Sequence, residues 1–188
     1  MSRRYPARRA RRPRWRSLAD GMLMLLLLAA ITFAARHWGL LPDETGSFTA
    51  VDGDSLRKDA TDYRLHAIDA PELLQSCRKA DGSAYDCGRE ARDELRRLVR
   101  YANVTCRVLD TDRYGRAVAE CSAGGVNLND AMVRAGWAIA YTRHGQGHAA
   151  AEAEARAAKR GLWQGDFQTP EDWRNANRRN LIGKDADD

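Results

Sequence analysis

The sequence predicts an α+β fold: a small five-stranded antiparallel β-barrel with about three helices, preceded by an N-terminal apolar helix. Three observations predict it. Five short stretches of strand composition are separated by Asp/Gly turn signals. Helical spacing interrupts them once in the middle of the chain and recurs at its end. The one sustained apolar block lies near the N-terminus, behind a run of Arg.

Charge divides the 188 residues in the same place. The formal net charge is +5, yet residues 1–20 hold eight Arg and one Asp, while residues 43–188 hold 22 Lys/Arg against 25 Asp/Glu. The basic character belongs to the N-terminal tail, which excludes a body that coats nucleic acid by bulk positive charge; any such contact must be local. A hydrophobic content of 44% excludes wholesale disorder. A single short apolar block excludes a polytopic membrane protein. A body of roughly 146 residues buries about two-thirds of its unfolded surface and needs no staple to fold.

The first element is a basic tail, 1–20, followed by an apolar run from Gly21 to Ala35 centred on Leu25 to Leu28. As a helix the apolar core is only about 22 Å long, against about 30 Å of hydrocarbon. Trp15 and Trp38, about 34 Å apart along a helix axis, match two interfacial belts, and Arg36 can snorkel. Residues 21–41 are therefore expected to lie in the lipid bilayer as a single-pass signal-anchor. The preceding Arg cluster keeps the N-terminus cytoplasmic and sends the body across the membrane. The alternative is a cleaved signal peptide, with a permissible site after Thr32-Phe33-Ala34, and a secreted body.

Residues 42–46 read as a linker. Strands follow at 48–51, 55–58 and 63–68, divided by turns at Asp52-Gly53-Asp54 and 59–62. Residues 73–87 read as a loop. Residues 88–101 have helical spacing, with Ala91, Leu95, Leu98 and Val99 on one face. Strands at 104–110 and 116–123 flank a hairpin turn at Asp112-Arg113-Tyr114-Gly115. Asn127 caps a helix through Arg134, which Gly136 stops. Residues 148–160 form an Ala/Glu-rich helix ended by Gly161, and Pro170 starts a last polar helix with a frayed tail from Gly183. Five short strands with inserted helices match a Greek-key barrel of OB type. The expected divisions are thus 1–20, 21–41, 42–46, a barrel domain at 47–165, and a C-terminal helix and tail at 166–188.

Four cysteines, Cys77, Cys87, Cys106 and Cys121, allow three pairings in an exported body. Cys106 and Cys121 flank the hairpin turn almost symmetrically, and Cys77 and Cys87 bracket a polar loop, which favours 77–87 and 106–121. A metal site is disfavoured, because no pair has C-x2-C spacing and no His lies nearby. Four reduced thiols would require a cytosolic body.

The chemistry sits in three short pieces. Asp54 closes one turn; Asp69 and Glu72 follow the strand that carries Arg64; Arg116 follows the hairpin turn. Each piece alone is ordinary turn or strand-end chemistry. Together they are parts for hydrolysing a phosphate ester. Carboxylates and carbonyls suit a hard cation such as Ca2+, two Arg forks match phosphate oxygens, and a Glu nearby can deprotonate water. His66, His144 and His148 need no catalytic role; Gly145 and Gly147 argue against a rigid face for the last two.

On Asp52-Gly53-Asp54-Ser55, Arg64-Leu65-His66-Ala67-Ile68-Asp69-Ala70-Pro71-Glu72 and Asp112-Arg113-Tyr114-Gly115-Arg116, the chain resembles the staphylococcal nuclease (thermonuclease) family. Gly88-Arg89-Glu90-Ala91, Val126-Asn127 and Gly161-Leu162-Trp163 extend the resemblance across about 46–163. It implies the OB barrel, with Asp54, Asp69 and the Ala70 carbonyl as Ca2+ ligands and Glu72 as the carboxylate that activates water. Arg64 and Arg116 would bind the scissile phosphate and stabilise its transition state. Arg113 and Tyr114 would line the nucleotide pocket, with Tyr141 stacking there. The implied activity is hydrolysis of DNA and RNA, single-stranded or frayed, to 3′-phosphates by attack of a metal-assisted water. Ala70 departs from the family's Thr, and Thr142-Arg143-His144 follows Tyr141 where a second aromatic is often found. The Cys-bracketed loop resembles an exported bacterial subgroup, consistent with an inner-membrane protein whose body faces the periplasm. No protein partner is expected, and the body reads as a monomer. The alternative function is a non-catalytic OB module that binds nucleic acid at the envelope; Arg64, Glu72 and Arg116 argue against it.

Overall fold

A computed structural model describes residues 14–37, 43–141 and 147–182. Most of the basic tail, Trp38 and the end of the expected anchor, the 142–144 stretch and the tail from Gly183 lie outside the described residues. Two units divide at Pro42. The first holds one 24-residue helix, α1 (Arg14–His37). Met22 to Leu28, Ile31 and Phe33 are exposed on it. Among the described residues no helix is long and apolar enough to cross a membrane.

The body is built on short strands. Glu44–Gly46 (β1), Thr49–Ala50 (β2), Ser55–Lys58 (β3) and Thr61–Leu65 (β4) come first, then Ile68–Asp69 (β5), Cys77–Lys79 (β6) and Ala84–Tyr85 (β7). Helix α2 (Cys87–Val99) leads to the long hairpin Val104–Thr111 (β8) and Ala117–Ala123 (β9), then Val126–Asn127 (β10). Helix α3 (Leu128–Arg134), β11 (Ile139–Ala140), α4 (Ala149–Ala157), a 3-10 turn at Gly161–Gln164, β12 (Gly165–Asp166) and α5 (Pro170–Ile182) complete it.

The main sheet runs β1-β8-β9-β4-β3-β2, with β10 on β9. Its two ends are consecutive stretches of one segment: β1 pairs with β8 and β2 pairs with β3. The sheet therefore curls round to meet itself through residues 44–50. Glu44–Gly46, within the stretch read as linker, is part of this frame. Counted with β1 and β2 as one, the frame has five strands, as expected, but they are not all antiparallel. β4 pairs with β9 in parallel, Arg64 opposite Val118. A parallel neighbour needs a crossover, and the chain makes it through α2 and β8.

The strand expected at 63–68 breaks after Leu65. Leu65 donates its N–H to the Asp54 carbonyl at 2.8 Å and His66 donates to Ala119 at 2.8 Å. Ala67 then adopts a left-handed φ of 59°. The break turns Ile68 and Asp69 out of the main sheet to pair with β11, Asp69 opposite Ile139. The loop expected at 73–87 contains a small hairpin, β6–β7, to which β12 adds a third strand. Both disulfides form as expected. Cys77–Cys87 ties the hairpin to the start of α2, and Cys106–Cys121 joins directly opposed residues of β8 and β9.

Leu56, Leu65, Leu95, Val104, Leu128, Met132 and Val133 fill the core inside the curled sheet, against α2 and α3. The α2 face is as expected, with Ala91, Leu95 and Val99 buried and Leu98 packed partly against the core. Asn127 caps α3 by accepting the Asp130 N–H at 2.9 Å, and Gly136, at φ 80°, ends it. One buried polar side chain stitches helix to sheet. Asn129 accepts the Cys121 N–H at 3.1 Å and donates to the His66 carbonyl at 3.0 Å and the Ala119 carbonyl at 3.2 Å. Replacing it with Leu takes this partner from the Cys121 N–H and the His66 carbonyl, while Ala119 keeps the His66 N–H, so Asn129→Leu should cost about 2–3 kcal/mol. Urea unfolding of the two proteins measures this; equal stability would mean the freed groups find other partners.

Candidate active site

The acidic residues gather because three turns converge at one end of the curled sheet. Asp52 accepts the Asp54 N–H at 2.9 Å, closing the β2–β3 turn. That turn presents Asp54, which is buried; its carboxylate accepts from Ser55 Oγ at 3.1 Å and from the Ala70 N–H at 3.1 Å. A Cβ on Gly53 would lie 2.7 Å from Ala70 Cβ and 2.8 Å from Ala91 Cβ, so only glycine lets these three segments meet. Asp69 ends β5 and is 1% exposed. Glu72 follows after Pro71, and the start of α2 supports it from behind, since a Cβ on Gly88 would sit 1.8 Å from the Glu72 carbonyl oxygen.

Arg64 reaches this cluster from β4. Its Nη2 lies 3.0 Å from Asp69 Oδ1 and 3.2 Å from Asp54 Oδ2. A second guanidinium was not legible in the sequence. Arg174 of α5 donates from Nη1 to Asp69 Oδ1 at 3.1 Å and to Glu72 Oε1 at 2.9 Å, and from Nη2 to Asp69 Oδ2 at 2.9 Å. Two arginines thus hold three carboxylates.

These cations do not balance the charge fully. Burial, then the neighbouring Asp54 carboxylate, pushes Asp52 up to about 7. Burial also raises Asp69, against the pull of Arg174 and Arg64. Arg64 is itself raised, first by Asp54. The donors here are all oxygens, the kind a hard divalent cation takes, and the excess negative charge is what such a cation would relieve. By chemistry, Asp54, Asp69 and the Ala70 backbone fit that group. Among the described residues no three acids or histidines are already disposed about a single point.

An open cleft of about 890 Å3 lies over this cluster, lined by Arg64, Asp69, Glu72 and Arg174 on one side. The β8–β9 hairpin forms the facing wall with Arg113, Tyr114 and Arg116, and Tyr141 lines the same cleft. Arg116 is held by its own turn: Nε donates to Asp112 Oδ2 at 2.8 Å and its N–H to Asp112 Oδ1 at 3.0 Å. Tyr114 is 72% exposed, and Arg113 and Arg116 lie over its ring at 5.2 Å and 5.6 Å. The Tyr141 N–H donates to the Ala67 carbonyl at 2.9 Å, so the turn that leads into Asp69 also sets Tyr141. His66 lines the cleft as well. His148 lies elsewhere, 3.4 Å from Asp130.

The arrangement joins most of the residues singled out in the sequence. Asp54, Arg64, Asp69, Ala70 and Glu72 form one connected cluster, with Asp54 and Ala70 buried beneath the cleft. Arg113, Tyr114, Arg116 and Tyr141 form the rest of its lining. A negatively charged strand with exposed bases would meet guanidinia on both walls and an aromatic face between them.

Residues 62–165 match the staphylococcal nuclease homologue family. A "Probable staphylococcal-like nuclease" of Oryza sativa subsp. japonica is 35% identical over 118 residues, covering 61% of this chain and 33% of that protein. An "Uncharacterized endonuclease" of Escherichia coli O157:H7 is 36% identical over 133 residues, covering 66% of this chain and 80% of its own length. A "Probable endonuclease" of Schizophyllum commune is 30% identical over 131 residues, covering 58% of this chain and 44% of that protein. The chain thus spans a third of the rice relative and four-fifths of the bacterial one, and it belongs to the staphylococcal nuclease homologue family.

Proposed function

We propose that the chain is a Ca2+-dependent nuclease that hydrolyses DNA and RNA, single-stranded or frayed, and leaves 3′-phosphates. The observation that carries this reading is the convergence of Glu72, Asp54, Asp69 and Arg64 at one side of a cleft whose other side bears Arg116. A bare nucleic-acid-binding barrel has no use for carboxylates that repel its ligand.

In this mechanism Arg64 and Arg116 bind the non-bridging oxygens of the scissile phosphate and stabilise the charge that builds on them. Glu72 accepts a proton from water, whose oxygen attacks phosphorus in line. The P–O5′ bond breaks, the 5′-oxygen takes a proton from solvent, and the phosphate stays on the 3′-oxygen. Asp54, Asp69 and the Ala70 backbone would hold Ca2+, which when bound supplies positive charge beside the phosphate. Tyr114 and Tyr141 would stack unpaired bases, which favours single strands.

We further propose that α1 attaches the chain to a membrane. Its exposed side chains from Met22 to Leu28 are apolar on every side, and Arg residues precede them. Two disulfides in the body suit an oxidising, extracytoplasmic compartment.

Glu72→Gln and Arg116→Ala should each lower kcat by at least about 100-fold while circular dichroism stays unchanged. Undiminished turnover in either variant would remove this mechanism, whereas no turnover in the wild type would favour the binding module.

Thermal unfolding tests the cation. Ca2+ binding only the folded body should stabilise it by about 2.7 kcal/mol at a hundredfold excess over Kd. No shift at millimolar Ca2+ would discard the site. In chelator, Asp52 and Asp69 set a pH dependence. Their folded pKa values lie above the unfolded ones, so the folded state keeps protons that the unfolded state releases. Their contribution should therefore fall as pH rises from about 4 towards 7, and Asp52→Asn should flatten the fall.

The full chain should be recovered in alkali-washed membranes, with its body shielded from cytoplasmic labelling reagents. A soluble form beginning near residue 35 would instead indicate a cleaved signal.

A further inference from the structure

Two distant stretches of chain are tied together behind Glu72. Gln75, only 1% exposed, accepts the Glu72 N–H on its Oε1 at 3.2 Å. Its Nε2 donates to the Gln168 carbonyl at 2.8 Å, across a separation of 93 residues. The Gln75 N–H also donates back to the Glu72 carbonyl at 2.7 Å. The backbone that carries Glu72 is therefore splinted to the residues that lead into α5.

The same junction fixes the start of α5. Thr169 accepts the Asp172 N–H at 3.2 Å and donates to Asp172 Oδ2 at 2.6 Å, a local cap that sets the first turn. One turn on, Arg174 projects back to the cleft. Its Nη1 is shared between Glu72 Oε1 at 2.9 Å and Asp69 Oδ1 at 3.1 Å, and Nη2 binds Asp69 Oδ2 at 2.9 Å. A planar, always-charged fork that bridges two carboxylates fixes their separation and angle as well as their repulsion. A lysine ammonium could offset the charge but not the angle.

Glu72 needs such a clamp. Its side chain is 31% exposed at the cleft edge and has several rotatable bonds, and it stands beside the fully buried negative charge of Asp69. Without a partner it would swing towards solvent. A general base displaced by about 1 Å costs on the order of 100-fold in rate.

We infer that Arg174, with Gln75 bracing the Glu72 backbone, is a positioning residue that holds Glu72 in the orientation from which it takes a proton from water. The C-terminal helix is thereby part of the active site, although residues 170–182 lie beyond the stretch that matches the family. The inference rests on Glu72 being the water-activating carboxylate.

The test is a double-mutant cycle in the full-length chain, read as steady-state cleavage of a single-stranded DNA oligonucleotide with Ca2+. Arg174→Gln should lower kcat about tenfold or more and leave KM within about twofold. Arg174→Lys should recover part of the loss, and its retained charge keeps the comparison meaningful if Arg174→Gln folds poorly. In the Glu72→Gln background, Arg174→Gln should cause no further loss, because the group it positions is gone. A wild-type kcat in Arg174→Gln overturns the inference. So does a raised kcat, which would mean that the guanidinium holds the site shut. A loss that falls on KM, or that adds to Glu72→Gln, also overturns it, by placing the role of Arg174 on the substrate or on Asp69 rather than on Glu72. Wild-type turnover in Glu72→Gln alone removes the premise, and the single mutant reveals that outcome separately.

Discussion

Negative charge buried at the end of β5 is the constraint that organises the body. Asp69 is almost wholly enclosed, Asp54 nearly so, and Asp52 and Glu72 stand beside them. An uncompensated buried carboxylate costs several kcal/mol, so the fold must bring cations to this point. Arg64 comes from the centre of the main sheet, which requires β4 to lie in register with Ser55 on one side and Val118 on the other. Arg174 comes from the last helix, which requires that helix to return to the cleft. The compensation is partial. Asp52, pushed up to about 7 first by burial and then by the neighbouring Asp54 carboxylate, shows what the two guanidinia do not offset. A scaffold selected only for stability would replace such a group with an apolar one.

The two walls of the cleft are built on different principles. The acidic wall is rigid: Asp54 is fixed by Ser55 and Ala70, Ala70 lies in van der Waals reach of Gly53, and Gly88 backs Glu72 so closely that no side chain fits between them. The opposite wall is the free end of a long hairpin, where Tyr114 is exposed and Arg113 and Arg116 lie over its ring. The hairpin is pinned at its far end by Cys106–Cys121 and shifts register between Val108 and Asp110. The groups proposed for distance-dependent chemistry sit on the first wall, and those proposed to meet the bases sit on the second.

Residue chemistry made the central cluster legible in the sequence. Asp54, Arg64, Asp69 and Glu72 lie within 19 consecutive positions, with Gly53 beside Asp54 and Pro71 beside Glu72 marking turns. The α2 face and the Asn127 cap were legible because each follows a local rule of spacing or capping. Arg174 was not. It is one of three Arg in a polar helix and meets Glu72 across 102 residues, so no window of sequence contains both. Gln75 was hidden similarly, as a polar residue in a stretch with loop composition. The β6–β7 hairpin lacks apolar alternation; a disulfide and the added strand β12 hold it instead. The parallel pairing of β4 with β9 is a topological fact that strand composition does not encode.

The way the sheet meets itself has a mechanical consequence. The chain enters the body through the segment that forms β1 and β2, and that segment belongs to both ends of the sheet. A pull applied through residue 43 falls first on the three residue pairs that join β1 to β8, from Glu44 opposite Cys106 to Gly46 opposite Val104. β8 at that point is already cross-linked to β9 by Cys106–Cys121. Such a load would peel β1 residue by residue from an anchored neighbour. The turn that carries Asp54 begins only beyond β2, with its own ladder to β3 still intact. Tension on the leading chain would thus be absorbed at an edge strand that holds no residue of the cleft.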